Sequence, residues 1–226
     1  MPGAEVVALA DTDATARQRA AALAPRARVF DSYRELLDQA ETDAVVICAP
    51  SALHAEIATA AFDAGRHVYL EKPLGASLVE GRCVLDARAR AGRLGMIGFN
   101  YRFNPLYERA RRRLLAGEIG PAVAARTVFS TAAGAHLPDW KRERRTGGGA
   151  LLDLASHHVD LGRYFFGQEV CEVFAALRSS EHGEGDTAAL HLRLSGGALV
   201  QSFFSLSAVE EDRIDLYGRA GRLSVD

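Results

Sequence analysis

The sequence predicts an α/β protein in two parts: an incomplete parallel sheet with helices over residues 1–100, then an α+β domain with an open antiparallel sheet over residues 101–226. Up to residue 100, short runs rich in Val and Ile and apolar on both faces alternate with helical segments. That is the grammar of buried parallel strands joined by helical crossovers. From Tyr101 onward the strand-like segments alternate apolar with polar residues and are separated by turn signals such as Gly196-Gly197, which fits antiparallel strands with one wet face.

The strands expected in the first part are EVVALAD (5–11), DAVVICAP (43–50), HVYLEKP (67–73) and LGMIGFN (94–100). Between them Ser32 with Glu35 and Ser77 with Glu80 fit the capping box, Ser51 follows Pro50 at a helix start, and Gly65 and Gly92 stand where helices end. In the second part Asn104-Pro105 caps and opens a helix that runs to Gly117. AVAARTVFST (122–131) reads as a strand, and GGGALLDLASHHVDLGRYFFG (147–167) as one long helix closed by Gly167. EVCEVFAALRSS, TAALHLRLSG, ALVQSFFSLSA and RIDLYGRAGRLSVD supply the hairpin-linked strands.

A chain of 226 residues, 48% hydrophobic and 25% charged, can bury a sizeable core and has a globular composition. The net charge of −2 gives no general attraction to nucleic acid or membranes. The basic runs RARRR (109–113) and KRERR (141–145) are short and lack interleaved aromatics, so they read as solvated faces. Cys48, Cys83 and Cys171 are scattered, which implies neither a disulfide framework nor a zinc site, and no metal is expected. With no apolar run approaching the ~18 residues of a membrane span, the expected location is the cytoplasm.

Open parallel sheets bind ligands at the carboxyl ends of their strands. Asp11, Ala49, Pro50, Ser51, Glu71, Lys72, Pro73 and Asn100 all stand at such ends. Asp11 suits the ribose diol of a dinucleotide and would repel a 2′-phosphate. The next residues, Thr12 and Asp13, bring no arginine, so NAD is favoured over NADP. Asp11 or Asp13 also fits a plain helix N-cap, as does Ser51. His54, one turn into the following helix, reads either as a packing residue or as a cofactor contact.

Lys72 stands out by composition, because all but two of the 27 basic residues are arginine and the other lysine is Lys141. An ammonium is a compact charge that can lose its proton when desolvated, which a guanidinium does not. Asp153 and His157 lie four apart on the expected helix, with Asp160 continuing the stripe and His158 turned away from it. A carboxylate one turn from an imidazole can fix its tautomer, and the imidazole titrates where proton transfer from an alcohol is useful. In so apolar a helix uncompensated polar groups are costly, which favours chemistry over decoration. Gly147, Gly148 and Gly149 permit close approach of backbone and ligand, or form a plain turn.

With these residues in view, the chain resembles the glucose-fructose oxidoreductase, inositol dehydrogenase and MocA-like (Gfo/Idh/MocA) oxidoreductases. The carriers are EKP at Glu71 to Pro73, GFNYRFNP at 98–105, DWK at 139–141 and GGGALLDLASHHVDL at 147–161. The resemblance implies a Rossmann-type NAD(P)-binding domain over 1–100 and a substrate and oligomerisation domain over 101–226. It implies hydride transfer between a nicotinamide and a hydroxyl carbon of a sugar, polyol or inositol-like substrate. His157 would take the hydroxyl proton, Lys72 would hydrogen-bond the reacting oxygen, and Asp153 would orient His157 or touch the substrate. Tyr101, Arg102, Trp140 and His158 are candidates for the substrate wall. A homo-oligomer formed through the C-terminal sheet is implied for the full-length protein.

The sequence departs from the family pattern at its ends. No GxGxxG precedes EVVALAD, so the first strand, glycine turn and helix of the dinucleotide fold are not in the sequence. That strand would sit between the one ending at Asp11 and the one ending near Ala49, and its loss is expected to split the sheet. The closing GRLSVD reads as one strand of a sheet with members missing, and Ala155 stands where the family often has glycine. The expectation is a truncated enzyme. Two alternatives remain: a catalytically silent sugar- or nucleotide-binding homologue, and an NAD-dependent glycoside hydrolase, which shares every motif.

Overall fold

The computed structural model describes residues 3–132, 136–143, 147–180 and 183–226. These fall into two compact units, Met1–Ala49 with Leu53–Gly98, and Pro50–Ala52 with Phe99–Asp226.

In the first unit, strands β1 (Ala8–Ala10), β2 (Arg28–Phe30), β3 (Ala44–Ile47), β4 (His67–Leu70) and β5 (Gly95–Ile97) alternate with helices α1 (Ala14–Leu23), α2 (Tyr33–Gln39), α3 (His54–Asp63) and α4 (Leu78–Ala91). All strand pairings are parallel, but they form two separate sheets, β1-β2 and β3-β4-β5. The split matches the expectation from the sequence. It leaves Val46 on β3 67% exposed and Val7, just before β1, 42% exposed. β2 was not among the expected strands, since three residues starting with an arginine are too short to show a period.

Local signals set the helix starts. Asp13 caps α1, its Oδ1 accepting from Ala16 N at 2.7 Å. The Ser32 hydroxyl accepts from Arg34 N, and the Ser77 hydroxyl accepts from Glu80 N, each at 3.2 Å. The Glu80 carboxylate reaches back one residue beyond the usual capping box, to Ala76 N at 2.7 Å. Gly92 ends α4 with φ of 62°. The core here joins Ile47, Val68 and Leu70 of the sheet to Ala58, Ala61 and Phe62 of α3 and to Val84 and Ala87 of α4.

The second unit holds α5 (Pro105–Leu115), α6 (Ser156–Phe166) and a six-stranded sheet of β6 (Ala122–Ser130), β7 (Val170–Ser180), β8 (Gly183–Leu194), β9 (Leu199–Ser205), β10 (Glu211–Gly218) and β11 (Arg222–Val225). Asn104 caps α5, accepting from Leu106 N at 2.9 Å, with Pro105 at the first helical position. The strand order is β11-β10-β6-β9-β8-β7. The expectation of an antiparallel sheet needs correction, because β6 and β9 pair in parallel from Ala124↔Leu199 to Ser130↔Ser205. These two strands are not hairpin neighbours, and the chain between them runs through α6 and two other strands, the kind of long connection that parallel pairing requires. One face of the sheet packs on α5 and α6 around Leu161, Phe165, Val200, Phe204, Ile214 and Leu216. The helix expected to run unbroken into Gly167 instead starts as a π-helical turn, Leu151–Ala155, before α6.

Candidate active site

In the first unit Asp11 follows β1, Ala49 follows β3, and Glu71, Lys72 and Pro73 follow β4, whereas Pro50, Ser51 and Asn100 belong to the second unit. The Asp11 Oδ1 accepts from Asp13 N at 2.9 Å while Asp13 does the capping. Arg17, one turn into α1, donates to the carbonyls of Asp11 at 2.6 Å and Thr12 at 3.0 Å. This arginine stands four residues beyond Asp13. At the end of β4 the Glu71 carboxylate accepts from Lys72 N at 3.2 Å. The ends of the Glu71 and Tyr69 side chains close over Gly98 after β5, where a Cβ would lie 2.9 Å from Glu71 Oε1 and 3.0 Å from the Tyr69 hydroxyl. The Lys72–Pro73 peptide is cis.

His54, expected as a cofactor contact, is 1% exposed, and its two ring nitrogens lie 2.6 Å from Pro73 O and 2.8 Å from Ala49 O. The backbone uses both of its polar atoms, so it ties together the segments that carry the other candidates instead of facing a ligand itself.

In the second unit the π-turn supplies Asp153 and α6 supplies His157. Ser156 N reaches Leu151 O in the i→i−5 pattern, and the Ser156 hydroxyl donates to Leu152 O at 2.9 Å. The glycine run before this turn wraps around the 139–141 segment. Gly149 N donates to Lys141 O at 3.1 Å, and a Cβ on Gly148 would fall 2.2 Å from that same oxygen, so only glycine fits there. This close approach delivers Lys141 to Asp153, whose carboxylate receives Nζ at 2.9 and 3.2 Å. The pair is largely shielded, with side chains 28% and 16% exposed. Reading the sequence missed Lys141, although the signal was present: it is the other lysine of an arginine-rich chain.

His157 is 9% exposed and stacks on Tyr101, ring centroids 4.4 Å apart and planes 20° apart. Tyr107 stacks on the same tyrosine at 5.4 Å, and Phe99 meets His157 edge-on at 6.4 Å. Burial, helped by the nearby Asp212 carboxylate, pushes the Tyr101 phenol up to about 12, so it stays neutral and acts as a wall. Arg102, expected at the substrate wall, is instead forked onto Asp160, with Nε and Nη2 each 2.6 Å from a carboxylate oxygen. Its guanidinium lies 5.4 Å from the Tyr164 ring centre. That pair fastens the Asn100–Phe103 turn, which carries Tyr101, to α6.

His158, also expected at the substrate wall, is fully buried. It is stacked on Phe129 at 5.5 Å, edge-on to Phe204 at 5.4 Å, with Nε2 3.5 Å from Asp212 Oδ1. It belongs to the packing behind the site, because adjacent helix residues point about 100° apart. Asn100 is exposed at the start of its turn. Trp140 lies in the Asp139–Lys141 turn, and its side chain falls outside the described residues.

Comparison with known proteins matches residues 1–99 to the model of the oxidoreductase family with an NAD-binding Rossmann fold, and residues 107–224 to the GFO/IDH/MocA C-terminal domain. Myo-inositol 2-dehydrogenase of Thermotoga maritima is 32% identical over 207 residues, covering 88% of this chain and 61% of that protein. The scyllo-inositol 2-dehydrogenase (NAD(+)) of Bacillus subtilis is 30% identical over 232 residues, covering 100% and 64%. The chain thus spans less than two thirds of the length of these relatives. Among solved structures, the WlbA dehydrogenase of Bordetella pertussis, in complex with NADH and UDP-GlcNAcA, superimposes with a TM-score of 0.89 at 29% identity, covering 98% of this chain and 66% of that one. With both halves matched and the motifs in order, the chain belongs to the GFO/IDH/MocA oxidoreductase family.

Proposed function

We propose that this chain carries the catalytic residues of an NAD-dependent dehydrogenase acting on a secondary hydroxyl of an inositol, sugar or other polyol. The observation that supports it most is the pairing of Asp153 with Lys141 one turn before His157, on a helix whose remaining face is core. Asp11 at the end of β1 would accept from the adenosine ribose diol, and Ala49, Pro50 and Ser51 with Glu71, Lys72, Pro73 and Asn100 would flank the rest of the dinucleotide. These residues would serve the two ends of NAD. The cofactor, when bound, supplies the hydride acceptor.

His157 would take the hydroxyl proton at an imidazole nitrogen as the carbonyl forms, and Lys72 would donate to the same oxygen as charge develops on it. The Asp153 carboxylate, held by Lys141, would accept from a neighbouring substrate hydroxyl or orient His157. Tyr101 would shape the pocket through its face on His157. The exposed Asp11 carboxylate favours NAD over NADP, and Arg17 stands in the same turn with its charge engaged by two carbonyls.

The test is NADH production by the protein with a panel of inositols, aldoses and sugar acids, beside glycosides. Turnover of a free polyol that is lost in His157→Asn supports the reading, and cleavage of glycosides would assign a hydrolase instead. A catalytically silent binding homologue is the second reading. Tight polyol or NADH binding with no turnover distinguishes it.

Phe174, Leu199 and Phe203 share the open face of the six-stranded sheet at 68%, 56% and 38% exposure, and we assign that face to association of like chains. Cys48, Cys83 and Cys171 are free and exposed, as suits a reducing compartment such as the cytoplasm. Among the described residues no helix is long and apolar enough to cross a membrane.

A further inference from the structure

Asp186 is a buried carboxylate that the proposed reaction does not use. It is 1% exposed and stands on the face of β8 whose later positions, Ala188, Leu190, Leu192 and Leu194, are core. An apolar residue would serve the packing there, and an ionised group is costly to bury unless it is hydrogen-bonded. Asp186 meets that condition by gathering three segments of the second unit. Its Oδ2 accepts from the hydroxyl of Ser180, the last residue of β7, and at 2.6 Å from the hydroxyl of Ser207, two residues past β9. Its carbonyl accepts from Leu206 N at 2.8 Å. Burial pushes the carboxyl up, but hydroxyl donors led by Ser180 and Ser207 outweigh it and hold the group below the usual carboxylate range.

The knot fixes the end of the β7–β8 pair, whose last rung is Ser180↔Gly183. That end lies on the turn that carries Lys141. Glu184 N donates to Arg142 O at 2.9 Å, and a Cβ on Gly183 would fall 2.8 Å from the same oxygen and 3.1 Å from Arg142 Cα. The neighbouring carbonyl, that of Lys141, is taken by Gly149 N at 3.1 Å. Two consecutive carbonyls are thus held by different segments, the glycine run on one side and the start of β8 on the other. This fixes the backbone from which the Lys141 side chain reaches Asp153.

We propose that Asp186 is a positioning residue for the Lys141–Asp153 pair, acting through the start of β8 that seats Arg142. The π-turn aims the carboxylate of that pair, and the Asp186 knot aims its lysine. The catalytic consequence rests on the dehydrogenase reading above, whereas the coupling between Asp186 and Lys141 does not.

The test uses the 226-residue chain with ¹³C-labelled lysine, whose NMR spectrum holds two side chains, Lys72 and Lys141. Asp153→Asn marks where the Lys141 signal falls once its carboxylate is gone. Asp186→Asn should move the Lys141 signal toward that mark and leave Lys72, in the other unit, in place. Gly183→Ala should do the same without changing any charge, by pressing on the Arg142 carbonyl. A Lys141 signal at its wild-type position in folded Asp186→Asn overturns the proposal. Should that variant not fold, Ser207→Ala, which removes one of the two Oδ2 donors at an exposed position, decides in its place.

In NADH production Asp186→Asn should lower kcat/KM by about 10-fold on the wild-type background and leave it unchanged on a Lys141→Met background, because two changes that act through one contact do not add. Equal losses on both backgrounds would mean that Asp186 only stabilises the fold, and would refute the positioning role. Absence of turnover in the wild-type chain would remove the dehydrogenase reading, and the lysine spectra would still decide whether Asp186 positions Lys141.

Discussion

Replacing Arg102 by methionine keeps the aliphatic stem and removes the fork on Asp160. The carboxylate is 4% exposed, and its strongest partner would be gone while it stays buried. Removing one partner of a buried pair costs about 3–5 kcal/mol. Two features lower that figure here. The Arg102 side chain is 36% exposed, so its own desolvation is incomplete, and Arg163 Nη1 lies 3.8 Å from the same carboxylate and remains as a weaker partner. The expected loss is therefore about 2–3 kcal/mol. For a protein of this size that corresponds to a fall in Tm of roughly 4–12 °C. Urea unfolding should show a lower midpoint at unchanged slope. The double variant with Asp160→Asn should cost clearly less than the sum of the single ones, because the orphaned charge is then absent. A loss under ~1 kcal/mol, the level of an exposed pair, would refute the view that this fork fastens the Tyr101 turn to α6.

Four further outcomes follow from the site. Lys72→Arg should lower kcat by at least ~100-fold, the size of a lost transition-state hydrogen bond, and near-normal turnover would make Lys72 an ordinary surface charge. His157→Asn should remove the acid limb of the pH profile of kcat/KM together with most of the rate, and a larger effect from His158→Asn would mean that the helix has been placed in the wrong phase. Lys141→Met should cost ~10–100-fold in kcat/KM, from a charged hydrogen bond worth ~1.5–3 kcal/mol, and a wild-type value would confine Lys141 to the fold. Tyr101, with its phenol raised from 10.0 to about 12 in the folded state, contributes stability that is fully present below pH 10 and lost as pH rises toward 12. Tyr101→Phe should flatten that part of the alkaline stability curve, and an unchanged slope would contradict the shift.

Local signals written in adjacent residues could be read from the sequence. The Asn104-Pro105 start, the Gly92 and Gly167 stops and the alternation of β8 and β9 each need only a few neighbouring side chains to take effect, and each stands where expected. The division of the first unit's sheet was legible for another reason: the family resemblance implies a strand order that puts one strand between the one ending at Asp11 and the one ending near Ala49. Partnerships made across the chain were not legible. Nothing local shows that Arg102 is spent on Asp160, 58 residues away, or that Lys141 answers Asp153. Helical phase correctly separated His157 from His158. It could not show that the second ring would be shut into an aromatic box built from β6 and β9. The parallel β6–β9 contact was hidden too, since alternation reports which face is wet and is silent on strand direction.

The π-turn at Leu151–Ala155 can be regarded as one residue of slack wound into a helix. An α-helix advances about 100° per residue, so deleting a single residue from this turn would let it relax to regular α geometry while rotating what lies on one side of it against the other by that angle. Leu161 and Phe165 anchor α6 to the sheet, so the N-terminal side would have to turn, carrying Asp153 off Lys141. The wide turn therefore lets two demands coexist on one segment: a core stripe fixed by packing, and a carboxylate aimed by a lysine from another loop. A helix of perfect regularity would satisfy the first and misdirect the second. Insertion or deletion at this point is accordingly a change of heading for the site.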